Sequence, residues 1–326
     1  MGSAPRKLLL LSVALIAMFV PSAATAAGPS GDPTAHRLVA GLQGGSGSTI
    51  GPDRALYVTE SAAGRITRVD PRTGATTTFA SGLPELIPAA GFGGPVDVAF
   101  LGRTAYVLVT LVGPDVGGSD VVGIYRVDGP DSFTVVADIG AFSIANPPET
   151  DFFVPSGVQY ALQAYRGGLL VTDGHHNRVL RVTRDGQITE LRAFGNIVPT
   201  GLEVRGRTIY MAEAGPVPHL PEDGKVVAFR PTSAAVRDVA AGSRLLVDVE
   251  FGRGHRLYAL SQGDFLPGNP EGSPALPNTG ALVKANRDGT FTVVIDRLNQ
   301  PTSLEFIGKT AYVVTLGGEI WRIKGV

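Results

Sequence analysis

Short apolar segments with period-two alternation recur along the chain, separated by clusters of glycine, proline and aspartate. Segments such as PVDVAF (95–100), PTGLEV (199–204) and PTSLEF (301–306) follow Pro or Gly, and each leads into a second segment of the type TAYVVT. Alternation of this kind, bounded by turn-forming residues, predicts β-strands, and no helical window competes with it. The chain is therefore predicted to be all-β.

The segments form a longer repeat. Residues 58–70 read VTESAAGRITRVD and residues 171–183 read VTDGHHNRVLRVT, with matching columns of apolar, acidic and basic residues. The second segments recur at a mean spacing of about 51 residues and define six units, anchored at Tyr57, Tyr106, Leu170, Tyr210, Tyr258 and Tyr312. Units of this length with four strands each indicate a propeller. We predict a single six-bladed β-propeller over residues 27–326.

Closure of the ring can also be predicted. The last unit ends in WRIKGV and has no fourth strand, whereas residues 36–42, HRLVAGL, resemble a fourth strand and precede the first unit. An unpaired edge strand is a liability that closed folds remove. The N-terminal strand is therefore predicted to complete the last blade.

Connection lengths predict that one face of the propeller is elaborated. Connections between first and second strands and between third and fourth strands are short, as in LGRT and RDGQ. The other two classes are often long, and in an antiparallel blade both open on the same face. The long loops, residues 83–95, 138–155, 214–224 and 262–280, therefore project from one face, where a rigid scaffold usually carries its function.

Aromatic and acidic residues in two of these loops are the candidates for ligand binding. Aromatic groups beside polar ones on a concave surface suit a small organic molecule or a protein partner. The structural alternative is that the phenylalanines hold the loops against the propeller. The predicted ligand-binding residues are Phe142, Glu149, Asp151, Phe152, Phe153 and Phe265.

Three second strands end in an acid at the same position, at Glu60, Asp173 and Glu213. We expect these side chains on the elaborated face, near its central opening. Converging carboxylates there would bind a hard divalent cation such as Ca²⁺. In the alternative, they accept hydrogen bonds from the following turn or pair with Arg65 and Arg178.

Two further columns of polar residues run along the first strands. Asp97 and Asp248 hold matched positions and are candidates for the wall of a central channel. Near-regular recurrence in the second column is typical of a contact between blades. This second column is interpreted as Gln159, Glu203, Glu250 and Glu305.

Other chemistry has little support in the sequence. His175 and His176 lie beside Asp173, so a metal site of one His with Asp173 and Glu213 is an alternative to ordinary turn positions. There is no Cys, no G-x-S-x-G elbow, no P-loop and no dinucleotide fingerprint before a helix.

The first residues predict export. Arg6 and Lys7 precede an apolar run, and Ala24-Thr25-Ala26 fits a cleavage site, so residues 1–26 are predicted to be a secretory signal peptide. No later stretch has the length of a membrane span. Removal of Arg6 and Lys7 moves the net charge from −1 to −3, which gives no electrostatic case for nucleic acid or an anionic membrane. We expect a secreted monomer without membrane insertion.

The repeat VTDGHHNRVLRV resembles an NHL-type propeller repeat, with its V-x-D, its turn containing Asn and its final R-[IV]-x-[RK]. The chain after the signal peptide further resembles the ScyD/ScyE family of secreted bacterial proteins. The resemblance is carried by HRLVAGL, by the block GPDRALYVTESAAGRITRVDPRTGATTTFASGLP and by PTGLEV and PTSLEF. It implies a secreted propeller and transfers no catalytic residues.

Two functions follow as expectations. The first is a secreted propeller that binds a small ligand or a protein partner on its loop-rich face without catalysis of its own, and for which no cofactor is certain. The alternative is a divalent-metal-dependent hydrolase, lactonase or lyase similar to gluconolactonase-like propellers, in which a cation activates water or polarises a carbonyl. Fold alone does not decide between them.

Overall fold

Six four-stranded antiparallel sheets make up the computed structural model, which describes residues 32–270 and 272–326. The predicted signal peptide lies outside the described residues. In chain order the strands are β1 (Thr34–Val39), β2 (Gly45–Ile50), β3 (Leu56–Glu60), β4 (Arg65–Val69), β5 (Thr76–Ser81), β6 (Gly94–Leu101), β7 (Thr104–Thr110), β8 (Gly123–Gly129), β9 (Ser132–Asp138), β10 (Gln159–Tyr165), β11 (Gly168–Asp173), β12 (Arg178–Val182), β13 (Ile188–Ala193), β14 (Pro199–Arg205), β15 (Thr208–Glu213), β16 (Lys225–Phe229), β17 (Val236–Ala241), β18 (Leu246–Phe251), β19 (Leu257–Ser261), β20 (Gly280–Ala285), β21 (Phe291–Leu298), β22 (Pro301–Ile307), β23 (Thr310–Thr315) and β24 (Ile320–Lys324).

The sheets follow the chain as blades. Blade 1 is β2–β5, blade 2 is β6–β9, blade 3 is β10–β13, blade 4 is β14–β17 and blade 5 is β18–β21. The first strand of each blade contacts the first strand of the next, and β22 contacts β2, so the blades form a ring. The predicted six-bladed, all-β propeller is confirmed.

Blade 6 consists of β22, β23, β24 and β1, so the N-terminal strand closes the ring as predicted. The pairing of β1 with β24 is antiparallel, with Thr34 opposite Lys324 and Arg37 opposite Trp321. The Arg37 Nη1 group also donates to Glu319 Oε1 at 2.8 Å. The first and last strands of the described residues therefore share one sheet.

Three of the recurring tyrosines in the second strands pack against an aromatic ring of the next blade. The centroid of each of these three rings lies 4.9 Å from that of a phenylalanine in the first strand that follows. Such aromatic pairs add about 0.5–1.5 kcal/mol each beyond their burial. The pairs are Tyr57 with Phe100, Tyr210 with Phe251 and Tyr258 with Phe306.

One helix differs from the sequence expectation. Residues 138–155 are predicted as loop, but Ile139–Ala145 forms the helix α1. Its start is stabilised because Asp138 Oδ1 accepts a hydrogen bond from the Ala141 N–H at 2.8 Å. Short 3-10 helices occupy Ser61–Ala63, Pro88–Ala90, Pro114–Val116 and Arg253–His255. Across the described residues no helix has the length and apolar character of a membrane span.

The first strands carry a register shift in all six blades, near the loop-rich end of each strand. In blade 1 the backbone at this shift lies so close to blade 2 that a Cβ on Gly47 would sit 2.3 Å from Asp97 Oδ1. In blade 4, a Cβ on Gly201 would similarly sit 2.7 Å from Asp248 Oδ1. Glycine is therefore required at both positions, and each lies beside an aspartate of the next blade.

Candidate functional site

A cavity of about 680 Å³ occupies the central channel and opens on the loop-rich face. Its inner part is lined by residues of all six first strands, and its outer part by residues of the two long classes of connection. This size lies within the range of small-molecule sites. The elaborated face and the channel thus form one continuous concave surface.

Asp97 and Asp248 lie in the inner part of the cavity, in blades 2 and 5, which are opposite each other in the six-membered ring. Each carboxylate bridges to the next blade. Asp97 Oδ2 accepts from the Leu162 N–H and Asp248 Oδ2 accepts from the Leu304 N–H, both at 2.7 Å. Burial raises the pKa of Asp248 to about 7. Burial also raises the pKa of Asp97 well above its ordinary value, and the charge of Asp248 raises the pKa of Asp97 further. The predicted channel position of both residues is therefore observed.

A second group of carboxylates lies in the first strands of blades 4, 5 and 6, at Glu203, Glu250 and Glu305. Burial raises the pKa of Glu203 to about 7. Burial and neighbouring carboxylates raise the pKa values of Glu250 and Glu305 well above the ordinary range. Like charges held close together in a partly dehydrated channel disfavour full ionisation.

The column predicted to contain Gln159 contains Gln163 instead. Gln163 pairs with Leu170, as Glu203 pairs with Tyr210, whereas Gln159 pairs with Asp173 nearer the loop-rich end. The Gln163 side chain donates to Glu203 Oε2 at 2.8 Å, so the blade contact expected of this column is present with the corrected residue. The first strand of blade 3 begins with Gln159, at the position where Pro199 and Pro301 begin the first strands of blades 4 and 6.

Three of the predicted ligand-binding residues, Asp151, Phe152 and Phe153, line the outer part of the cavity. Phe153 is 64% exposed and its ring lies 4.2 Å from the ring of His175. His175 Nε2 accepts hydrogen bonds from the Phe153 and Val154 N–H groups at 2.8 and 3.1 Å. Because burial lowers the pKa of His175, its neutral form, with the proton on Nδ1, holds this segment in place.

The other three, Phe142, Glu149 and Phe265, do not line the cavity. Phe142 packs against the core and lies 5.5 Å from the Arg178 guanidinium. Phe265 is only 3% exposed and packs edge-on against His219, with ring centroids 5.0 Å apart. For these two phenylalanines the structure matches the alternative in which they hold long loops against the propeller.

The acids that end three second strands lie in blades 1, 3 and 4, each opposite the first basic residue of the adjoining third strand. The cross-strand pairs are Glu60 with Arg65, Asp173 with Arg178 and Glu213 with Lys225. In blades 1 and 3 the two residues flank a short turn, which explains the spacing of acid and base in those copies of the repeat, whereas in blade 4 residues 214–224 lie between them. The acid and the base that recur in the repeat therefore correspond to a cross-strand contact at the loop-rich end of the blade.

The environments of Glu60 and Glu213 differ strongly. Glu60 accepts from both the Nε and Nη2 groups of Arg65, at 2.8 and 2.7 Å, and from Thr67 and the Gln43 N–H. Burial raises the pKa of Glu60, but these hydrogen bonds outweigh it and leave the pKa lowered. Burial raises the pKa of Glu213 to about 7, since the charge of Lys225 offsets it only in part.

Asp173 belongs to a buried polar cluster beneath α1. Its carboxylate and the Arg178 guanidinium are both fully buried and lie 3.2 Å apart. Arg178 also donates to Ser143 Oγ at 3.0 Å, and His176 Nδ1 lies 3.2 Å from Asp173 Oδ2. His176 Nε2 lies 3.1 Å from the Val154 carbonyl oxygen, so the cluster joins the turn of blade 3 to α1 and to the segment that lines the cavity.

Metal binding by Glu60, Asp173 and Glu213 stays a prediction. The three carboxylates lie in different blades, and residues 32–270 and 272–326 contain no group of three or more His, Asp or Glu placed to hold a metal ion. His175, His176 and the channel carboxylates likewise form no such group among the described residues.

Comparison with known proteins places the fold. No protein-family model matches the chain, and no curated protein matches its sequence. Solved structures with a similar fold include a gluconolactonase from Xanthomonas campestris, with a TM-score of 0.63, 13% identity and 93% of each chain covered. Virginiamycin B lyase from Staphylococcus aureus has a TM-score of 0.54 and 12% identity, covering 90% of this chain and 99% of the lyase. A chain of a nidogen–laminin complex has a TM-score of 0.54 and 15% identity, covering 80% and 84%.

These neighbours are β-propeller proteins, and at such identities they establish the fold alone. Membership of the ScyD/ScyE family stays a prediction. The neighbours include enzymes and a chain from a nidogen–laminin complex, so they favour neither of the two expected functions over the other.

Several cavity residues had no candidate role in the sequence, among them Phe92 and Tyr160, whose rings lie 5.6 Å apart. Val198 and Leu245 also line the cavity and have φ angles of 50° and 43°. Each directly precedes a first strand, where the chain turns into the channel. Left-handed backbone is costly for a β-branched residue such as Val198, and sequence periodicity carries no signal for it.

Proposed function

We propose that the protein is a secreted binding propeller that takes a small organic molecule in its central cavity. The observation that carries the proposal is the cavity itself, of about 680 Å³, which is built from all six blades and from the long connections. Its aromatic outer part and carboxylate-lined inner part provide the apolar contact and the fixed polar groups that ligand sites combine. Export through the predicted signal peptide belongs to the same proposal.

The segment beside the cavity opening, residues 151–154, supports this function. Phe152 and Phe153 are large apolar side chains, 39% and 64% exposed, beside the opening. His175 accepts hydrogen bonds from the backbone N–H groups of Phe153 and Val154, and His176 lies with its ring centroid 5.1 Å from that of Phe152. Aromatic side chains held in place by such contacts lose little conformational entropy when a ligand binds.

A metal-dependent lactonase or lyase is the alternative from the sequence, and it has support at the level of fold only. The gluconolactonase and the lyase share the architecture at 13% and 12% identity. No arrangement among the described residues favours a metal-dependent reaction over binding. Binding without catalysis is therefore the function that the geometry supports best.

The test is a fragment screen of the chain from residue 27 onward by ligand-observed NMR. We expect aromatic fragments to bind and Phe153→Ala to weaken their binding, since Phe153 lines the opening. Ile144→Ala is the matched control, because Ile144 is 60% exposed and does not line the cavity. A diverse screen without binders, or binders that respond equally to both variants, would overturn the proposal.

A further inference from the structure

The cavity wall contains acidic side chains of Asp and Glu that are not balanced by basic ones. Among the described residues, the lining includes no Lys or Arg. Its two histidines are His175, which burial holds neutral, and His219, whose Nδ1 lies 2.7 Å from the Gly215 carbonyl oxygen. The acidic lining residues are Asp97, Asp115, Asp151, Asp248, Glu250 and Glu305. An anionic ligand would meet several carboxylates and no compensating cation.

The inner carboxylates are held in fixed positions. Backbone donors orient Asp97 and Asp248 through the bonds to the next blade, and Glu250 Oε2 accepts from the Phe251 N–H at 3.0 Å. Glu305 differs, because in the described part of the chain no donor stabilises its charge and every neighbour that shifts its pKa is another carboxylate. A cation in the channel would meet preorganised oxygens and would relieve this repulsion.

The outer part of the cavity suits the rest of such a ligand. Phe92 lies on one part of this outer wall, beside Tyr160 of the first strand β10, and Phe153 with His175 lies on another. Aromatic faces attract organic cations as well as apolar groups. A bare inorganic ion would use the carboxylates and leave these rings without a role, whereas an organic cation would use both.

We infer that the ligand is an organic cation, whose ammonium group lies among Asp248, Glu250 and Glu305 while its apolar body contacts the aromatic outer wall. This inference rests on the proposed binding function and narrows it to one chemical class. The assignment draws on three separate features: the volume of the cavity, the absence of Lys and Arg from its described lining, and the aromatic side chains at its opening.

The test uses three probes that share a benzyl group and differ in charge. Benzyltrimethylammonium keeps its charge at every pH, benzyl alcohol is neutral and phenylacetate is anionic. Calorimetric titration of the chain from residue 27 onward should show the cation binding at least tenfold more tightly than the alcohol, and no binding of the anion. Binding of the cation should also release protons and strengthen from about pH 5 to about pH 8, because it favours ionised carboxylates.

A matched pair of acid-to-amide variants locates the charge. Glu305→Gln keeps the shape of the side chain and breaks no hydrogen bond to a described donor, so the protein should fold normally and bind the cation about tenfold more weakly. Glu222→Gln changes the net charge equally on an exposed loop outside the cavity and should leave affinity unchanged. Affinity for benzyl alcohol should be the same in both variants.

The outcomes separate this inference from the proposed function. If the alcohol or the anion binds as tightly as the cation, the cavity binds ligands but the organic-cation assignment is wrong. If Ca²⁺ displaces the probe and binds more tightly than any organic cation tested, the carboxylates serve an inorganic ion and the assignment is also wrong. If no probe of any charge binds, both the assignment and the binding function fail.

Discussion

Replacement of Asp173 by Asn should destabilise the propeller strongly, because it leaves a buried guanidinium without its carboxylate. Asp173 and Arg178 are fully buried at 3.2 Å, and the remaining acid near Arg178 is Glu190, at 3.6 Å and partly exposed. Loss of one partner of a buried ion pair costs about 3–5 kcal/mol. At roughly 2 °C per kcal/mol for a domain of this size, the unfolding midpoint should fall by about 6–10 °C.

The assay is thermal and urea unfolding followed by far-UV circular dichroism. Asp128→Asn is the control, since Asp128 pairs with Arg126 at 2.6 Å on the exposed surface and its loss should leave the midpoint unchanged. The double variant Asp173→Asn with Arg178→Met should recover part of the lost stability, because no charge then remains buried without a partner. Equal midpoints for Asp173→Asn and Asp128→Asn would refute the reasoning.

Three further predictions address the channel, the loops and the third of the matched acids. Glu203 and Asp248, whose pKa values are raised to about 7, hold protons in the folded protein that the unfolded chain releases. Their contribution to stability is therefore greatest at low pH and is lost as the pH rises to about 7. Urea unfolding across this range should show the loss of stability, and the double variant Glu250→Gln with Glu305→Gln should make that loss smaller. Phe265→Ala should lower the free energy of unfolding by about 3–5 kcal/mol, as expected for a buried phenylalanine, whereas Phe153→Ala should leave the unfolding midpoint unchanged. A larger loss of midpoint for Phe153→Ala than for Phe265→Ala in thermal scans would contradict the burial of Phe265 and the exposure of Phe153. Glu213→Gln should raise the midpoint at about pH 8 and not at about pH 5, since the pKa of this buried acid is raised to about 7; a lower midpoint at about pH 8 would show that its charge is stabilising.

The fold could be predicted because its signals are local and repeated. Period-two segments mark the strands, and the tyrosine column marks the blades because in blades 1, 4 and 5 this tyrosine makes the same aromatic contact with the next blade. Closure by β1 could be predicted because the last unit of the repeat lacks a fourth strand and a segment resembling a fourth strand precedes the first unit. The helix α1 escaped prediction because it is seven residues long and its cap, Asp138, also ends a strand.

The site could be predicted only in part, because its geometry depends on details that a repeat pattern does not encode. Asp151, Phe152 and Phe153 were found from composition, but Phe265 has similar loop neighbours and packs inward against His219. The third-blade column contains Gln163 and not Gln159, because Gln159 begins its strand as Pro199 begins the first strand of blade 4. The roles of the second-strand acids depend on burial, which separates Glu213 from Glu60 although both occupy the same repeat position.

Closure of blade 6 by β1 also sets the order in which the chain is able to fold. The contact between Arg37 and Glu319 joins residues 282 positions apart, whereas blades 1–5 are each built from consecutive strands. During synthesis β1 is made first and remains an unpaired strand until Ile320–Lys324 is complete. Over that time the nascent protein is an open arc with a free edge, which the matching strand of a second chain could occupy. Ring completion is thus the step at which the free edge of the arc is covered by β1 of the same chain.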